Sequence, residues 1–192
     1  MTAANESARL MPISRMMTHT SPRTVQGLFM SLEKFQTNPD AVRNRYPWAT
    51  RFVCGMPLAP WQRPVVWDDD MQSRFIDSIW RYVDTGSYMV NAWWNLVNGD
   101  TQMAYLSDIV LDGQQRLTSI ERYFKDEIPA TAADGRKLLW SQISALDHRI
   151  FHNCVFPRTE INTNDEMLLR ECYDIRAFSG VRHTPDQRAI PI

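Results

Sequence analysis

The run Ile109-Val110-Leu111-Asp112-Gly113-Gln114-Gln115-Arg116-Leu117-Thr118 joins a short apolar segment to an amphipathic one through a single glycine. Ile109, Val110 and Leu111 suit a strand. Leu117, Ile120 and Phe124 recur at helical spacing and predict a helix from about Gly113 to Phe124. Gly113 lets the chain turn sharply from one to the other. Two readings of the polar residues stay open. In the first, Asp112 is the helix N-cap and Gln115, three residues on, completes a capping box. In the second, the junction is a phosphate site. Free N–H groups at the helix start face an anion, while Gln114 and Gln115 add amide donors and acceptors. Arg116 argues for the second, because a cation in the first turn opposes the helix dipole by roughly 0.3–1 kcal/mol. A phosphate between them removes that cost. No GxxxxGK[ST] occurs, so the junction is not a P-loop.

Working outward, the preceding residues read as a hairpin. Tyr88–Val97 is aromatic and β-branched, Asn98-Gly99 is a strong two-residue turn signal, and Gln102–Leu111 is the returning strand. Before it, Asp68, Asp69 and Asp70 open a helix whose stripe is Met71, Phe75, Ile79 and Tyr82/Val83, with Gly86 as its stop. A first helix is predicted over Thr24–Gln36, ended by Asn38-Pro39, and a loop over Asp40–Pro64. After the junction, Asp134-Gly135 is a turn and Leu138–Leu146 is ambiguous. Cys154–Phe156 and Ile161 suggest a strand interrupted by Pro157. Thr163 and Glu166 form a capping box for a helix from Asn164 to about Ala177, closed by Ser179-Gly180, and Thr184-Pro185 reads as a further helix start. Residues 1–20 are polar and unpatterned and are expected to be a flexible tail; 21–192 are expected to form one domain. The class is α+β with a small mixed sheet and flanking helices, not a βαβ series.

Composition narrows the function classes. Lys plus Arg is 21 and Asp plus Glu 22 in 192 residues, a net charge of −1 that argues against wholesale coating of nucleic acid and leaves room for a local basic groove. Lys occurs only at 34, 125 and 137, so nearly all cations are Arg. Genome base composition accounts for that without function; bidentate phosphate binding accounts for it with one. Cys54, Cys154 and Cys172 show no paired spacing, which fits a reducing compartment and gives no zinc site. The start has no apolar leader and no run nears ~18 apolar residues. A cytoplasmic location and no membrane partner are expected.

Three further polar clusters carry alternatives. In Pro60-Trp61-Gln62-Arg63-Pro64-Val65-Val66-Trp67, Arg63 either pairs with Asp68 or Asp70 at the surface or faces a ligand. In Ser179-Gly180-Val181-Arg182-His183-Thr184, His183 precedes a helix start and is structural or ligand-facing. His148 and His152 would be a ligand pair on a helix. Ile150–Phe156 reads more like a strand, which sets them about 13 Å apart and leaves no metal pair.

Together these clusters resemble the N-terminal domain of GmrSD-type modification-dependent restriction enzymes, a relative of the ParB/sulfiredoxin-like fold. The family's "P-x-x-Q-R-x-x-V/Y-W" element is similar to Pro60–Trp67, followed by Phe75-Ile76-Asp77-Ser78-Ile79. Its "I/L-D-G-Q-Q-R-L-T" is present unchanged over Leu111–Thr118. A third element, a helix with Tyr and then "N-x-G-G-x-x-H/L-T/S", resembles Tyr173–Thr184, with the Asn replaced and only Gly180 of the Gly pair kept. The likeness covers about residues 50–190.

The resemblance implies nucleotide binding and hydrolysis coupled to DNA restriction, with Mg²⁺. It implies that Asp112, Gln114, Gln115 and Arg116 form the catalytic core. Gln62 and Arg63 would close on the phosphates, and Gly113, Thr118, Gly180 and His183 would complete the nucleotide site, with Asp112 the Mg²⁺ ligand. Larger members carry an HNH-type nuclease domain for which 192 residues leave no room, so a separate nuclease chain is an expected partner. A bacterial host cell, with a phage or mobile-element origin, is an expectation from size alone. Three function classes follow: an NTP-binding and hydrolysing domain in restriction or phage–host conflict, a metal-dependent ParB-like nuclease acting on DNA directly, and a non-catalytic binding or anti-defence module using Trp48, Trp61, Trp93 and Trp94. Loss of nucleotide turnover in Arg116→Ala marks the first, nicking by this chain alone the second, and a partner lost in Trp93→Ala the third.

Overall fold

A computed structural model describes residues 16–95 and 97–178. Strand β1 (Thr18–Ser21), at the end of the expected tail, leads through Thr24 into helix α1 (Val25–Thr37), whose Val25, Leu28 and Leu32 are buried. Asn38 ends α1, as expected, but Pro39 at once starts α2 (Pro39–Arg45) inside the expected loop. The Asn38 side chain accepts from Ala41 N–H at 3.1 Å, and proline is pre-shaped for a first helical position. A tight hairpin follows, β2 (Phe52–Val53) and β3 (Met56–Pro57), turning on Cys54 and Gly55, both at positive φ.

Helix α3 (Asp69–Trp80) begins where the acidic run predicts it, with Asp68 accepting from Met71 N–H at 2.8 Å. It does not run on to Gly86. Tyr82 adopts φ 56° and donates to Ile79 O, while Val83 donates to Ser78 O, which closes the helix four residues earlier. Strand β4 (Tyr88–Asn91) and strand β5 (Val110–Asp112) are antiparallel neighbours with a bulge at Met89/Val90. The predicted hairpin is therefore real in its pairing but wrong in its loop. The Asn98-Gly99 turn exists, with Val97 donating to Gln102 O at 3.0 Å, inside a long connection rather than between full strands. Asn91 explains why the strands stop. It is fully buried, and its amide donates to the carbonyls of Leu106 and Thr163, folding the connection back over the sheet.

Helix α4 (Gln114–Phe124) matches expectation. The turn at Asp134-Gly135 closes a small hairpin of β6 (Ala130–Thr131) and β7 (Lys137–Leu138), followed by a 3-10 turn over Trp140–Gln142. Helix α5 (Ala145–Asn153), capped by Ser144, occupies most of the stretch expected as a strand. Phe151 is its buried anchor, packed edge-on against Tyr123 and tilted on Trp80, so aromatic burial overrides the β-like composition. His148 and His152 therefore share a helix face. His148 meets Trp140 O at 2.8 Å and His152 tilts over Phe29 at 4.7 Å, which makes the pair part of an aromatic cluster. Strand β8 (Arg158–Ile161) starts just past Pro157, and helix α6 (Glu166–Phe178) is capped by Asp165, which accepts from Leu168 N–H, rather than by Thr163.

The result is the expected α+β class. A four-stranded mixed sheet has the order β1-β8-β4-β5, antiparallel, parallel and antiparallel in turn. The main core lies where α1, α3, α4 and α5 meet one side of it, around Ile76, Leu117, Ile120, Tyr123 and Phe151. Leu169 and Cys172 of α6 pack with Met89, Ile109 and Leu111 in a second cluster. Among the described residues no helix is long and apolar enough to cross a membrane.

Candidate functional site

β5 ends at Asp112 and α4 begins at Gln114, so the whole change of direction falls on Gly113, at φ 99°. A side chain cannot stand there: a Cβ would lie 2.7 Å from Tyr88 Cβ and 3.1 Å from Tyr88 Cα on the neighbouring strand. Gly113 is the N-cap and offers no side-chain acceptor, so the predicted capping box does not form. The first-turn N–H groups of α4 are left without a cap.

Each polar residue of the motif turns elsewhere. Asp112 Oδ2 accepts from Arg116 Nη2 at 3.1 Å and from Arg176 Nε of α6 at 3.0 Å. Arg116 also donates to Thr85 O at 3.0 Å, and Arg176 reaches Ser87 O at 3.2 Å. Gln115 Oε1 accepts from Val66 N–H and Trp67 N–H, at 2.9 and 3.1 Å, and its Nε2 donates to Pro64 O at 3.1 Å. One side chain thus fastens the 64–67 loop to α4. Gln62 Nε2 donates to Val110 O at 2.6 Å and ties the same loop to β5. Tyr173 of α6 lines the same cavity as Arg63. Arg63 itself makes no ion pair with Asp68 or Asp70; Asp68 caps α3 and Asp70 pairs with Arg74.

These elements enclose a cavity of about 400 Å³. Arg63, Arg116 and Arg176 line it, and among the described residues Asp112 is its one carboxylate, with Trp67 and Phe75 as an aromatic wall. Gln114 lies on it, 6% exposed, with a buried amide oxygen that has no hydrogen-bond partner among the described residues. A buried, unpaired amide oxygen costs roughly 1–3 kcal/mol. Burial pulls the Arg116 guanidinium below its ordinary pKa; Asp112 opposes that shift and the neighbouring Arg176 adds to it. Three guanidiniums, an amide oxygen and the uncapped N–H groups of a helix start thus meet at one point, and N–H groups at a helix start together with guanidiniums are donors to an anion in general.

Of the residues singled out in the sequence, Gln62, Arg63, Asp112, Gly113, Gln114, Gln115 and Arg116 all line this cavity. Thr118 lies one turn further along α4 and does not. Gly180 and His183 lie outside the described residues. Sequence reasoning missed Arg176 and Thr85. The signal for Arg176 was its place three residues after Tyr173, on the same face of a helix already read as carrying the third element. Gly86, read as a helix stop, instead leaves room for Arg116: a Cβ there would lie 2.9 Å from Arg116 Nη1.

The donor set does not fit a magnesium ion held by the protein. A hard divalent cation wants several oxygen ligands, and the one carboxylate that the described residues bring to the cavity is already shared by two guanidiniums. Among the described residues no group of three or more His, Cys, Asp or Glu side chains is arranged to hold a metal.

A family model for the GmrSD restriction endonuclease N-terminal domain matches residues 56–179, more than half of the chain. The chain belongs to the GmrSD restriction endonuclease N-terminal domain family. Every residue lining the cavity, from Gln62 to Ala177, lies inside the matched range. Membership gives this GmrSD-type domain a restriction-associated role. Comparison with curated proteins and with solved structures finds no match.

Proposed function

We propose that this GmrSD-type domain binds a nucleoside triphosphate in the Asp112–Arg116 cavity and hydrolyses it in the service of DNA restriction. The observation that carries the reading is the charge of the cavity: among the described residues three arginines stand around one carboxylate, beside uncapped helix N–H groups. The phosphates lie against Arg63, Arg116, Arg176 and the start of α4. Gln114 supplies the buried amide that meets a donor on the ligand or its attacking water. Asp112 aims two guanidiniums at the same point, and Gln115 and Gln62 hold the loop that presents Arg63. Water attacks the terminal phosphorus, the bond to the bridging oxygen breaks, and negative charge builds on that oxygen. Guanidiniums fixed beforehand stabilise such charge without reorganising. Trp67 and Phe75 offer a flat apolar wall for the base.

Phosphate release from ATP, GTP, CTP and UTP tests the reading. Turnover of at least one, lost in Arg116→Ala and in Arg176→Gln, is the expected result. Unchanged turnover in both variants, or none with any triphosphate under restriction-assay conditions, overturns hydrolysis at this site.

A further inference from the structure

A second cavity, of about 720 Å³, lies at the other end of α4, between α3, the start of α5 and the β6–β7 hairpin. From Gln115 to Tyr123 the helix covers about 12 Å, and among the described residues the two cavities share no lining residue. The inner wall is largely apolar, built from Trp80, Ala130, Leu138 and Ile143. Asp77, Asp147 and Tyr123 bring polar groups to it. Tyr123 is 0% exposed, yet its hydroxyl has no hydrogen-bond partner among the described residues. A hydroxyl left that way is a net cost to the fold. Phenylalanine would pack edge-on against Trp140 and Phe151 as the tyrosine does, without that cost, so packing does not explain the hydroxyl.

The hydroxyl stands among carboxylates. Burial raises its pKa most, Trp80 holds it back in part, and Asp77, Asp147 and Asp126 raise it further. Both lining carboxylates are fixed in place. Asp77 accepts from the Thr131 N–H and the Thr131 hydroxyl, each at 2.6 Å. Asp147 uses Oδ2 for the Ser144 hydroxyl and N–H, at 2.6 and 3.3 Å, and its Oδ1 makes no hydrogen bond among the described residues. The cations stand at the exposed rim. Arg81 and Arg136 are both exposed, Arg136 is paired with Asp134 at 2.7 Å, and the exposed Lys137 donates to the Thr131 hydroxyl. Among the described residues, the buried and half-buried wall therefore carries two carboxylates and an unused hydroxyl, and no guanidinium or ammonium.

We infer that this cavity binds an organic ammonium on an apolar stem, its N–H groups on the Tyr123 oxygen and the Asp147 and Asp77 carboxylates and its stem against Trp80, Leu138 and Ile143. Charge-assisted bonds to carboxylates and an indole face both favour such a cation. An anion would meet two half-buried carboxylates. A bare metal ion would leave the apolar wall unmatched, and among the described residues no group of three or more His, Cys, Asp or Glu side chains is arranged to hold one. A neutral apolar molecule would leave the hydroxyl and Asp147 Oδ1 unused. A free amine and a lysine side chain of a partner protein share this chemistry. The site does not depend on triphosphate binding at Asp112–Arg116.

The test is a ligand-observed NMR titration of the whole chain, without nucleotide, using three probes of one shape and different charge: phenethylamine, 2-phenylethanol and 3-phenylpropionate. Nα-acetyl-lysine methylamide is the fourth probe, and whichever cation binds more tightly tells a free amine from a lysine side chain. Saturable binding of a cation is expected, with the alcohol at least about tenfold weaker and the carboxylate not bound. Asp147→Asn keeps an oxygen for Ser144 and should weaken the cation about tenfold or more. Tyr123→Phe should weaken it roughly 2- to 10-fold. Thermal melting verifies that both variants fold, and Arg116→Ala should leave amine binding unchanged. No saturation with either cation, equal affinity for amine and alcohol, or parent-like affinity in both cavity variants would overturn the inference.

Discussion

Gly113→Ala is the sharpest test of how this fold is built. The residue sits at φ 99°, and the added methyl would press on Tyr88 Cβ at 2.7 Å and Tyr88 Cα at 3.1 Å. Two penalties add. The left-handed conformation costs a side-chain-bearing residue about 1–2 kcal/mol. Overpacking against a strand backbone that cannot swing aside costs about 1–3 kcal/mol. The sum, about 2–5 kcal/mol, lowers the melting temperature by roughly 4–20 °C in a domain of this size. Calorimetry or thermal circular dichroism on both proteins reads it directly. A variant that melts within about 1 °C of the parent would refute the argument, because it would mean that β5 does not approach Tyr88 as closely as the geometry requires.

Gly86→Ala should behave differently: its methyl would meet Arg116 Nη1 at 2.9 Å, the far end of a flexible side chain, so melting should fall by less than in Gly113→Ala while triphosphate affinity drops. Equal losses in the two variants would count against that division. Gln114→Leu removes the unmatched buried amide and should raise stability by about 1 kcal/mol while abolishing nucleotide binding; a destabilised protein that still binds would contradict it. Tyr82→Gly relieves a left-handed tyrosine that is 70% exposed and should add up to about 1 kcal/mol, measured by urea denaturation, and a loss of stability would refute the strain. Burial pushes the Tyr123 hydroxyl up to about 12 from 10. Its folded pKa exceeds the unfolded one, so its contribution is whole below pH 10 and disappears as pH rises towards 12. Tyr46 and Tyr88 shift the same way; Tyr123→Phe should therefore soften, not abolish, the alkaline loss of stability, and an unchanged profile would sink the assignment.

Much of the site was legible because it is local. Asp112 to Arg116 are contiguous, and a strand, a glycine and a helix in that order leave few geometries. The Gln62-Arg63 element was also legible, yet its means of attachment was not: the Gln115 amide grips Val66, Trp67 and Pro64 across about fifty residues of sequence. The capping box failed for a physical reason. Asp112 had two guanidiniums within reach, and charge-assisted bonds are stronger than a cap to a neutral N–H. Arg176 was hidden because nothing in a helix sequence says which partner across the fold its far end will meet. One misreading, a strand over 150–156, came from composition. Ile150, Phe151, Val155 and Phe156 favour a sheet, but Ser144 caps a helix with Asp147 and Phe151 finds an aromatic core. Long connections were the other gap, since the carbonyls that bind Asn91, of Leu106 and Thr163, are far from it in sequence.

The central claim is that Arg116 and Arg176 meet phosphate at the start of α4. Isothermal titration of the purified chain with ATP, GTP, CTP and UTP, with and without Mg²⁺, repeated on Arg116→Ala, addresses it most directly. Removing one charge-assisted contact worth about 1.5–3 kcal/mol should weaken the best-bound triphosphate by about 10- to 150-fold. Equal affinity in the parent and the variant, or no heat with any nucleotide, would contradict the claim and leave the junction as a structural turn.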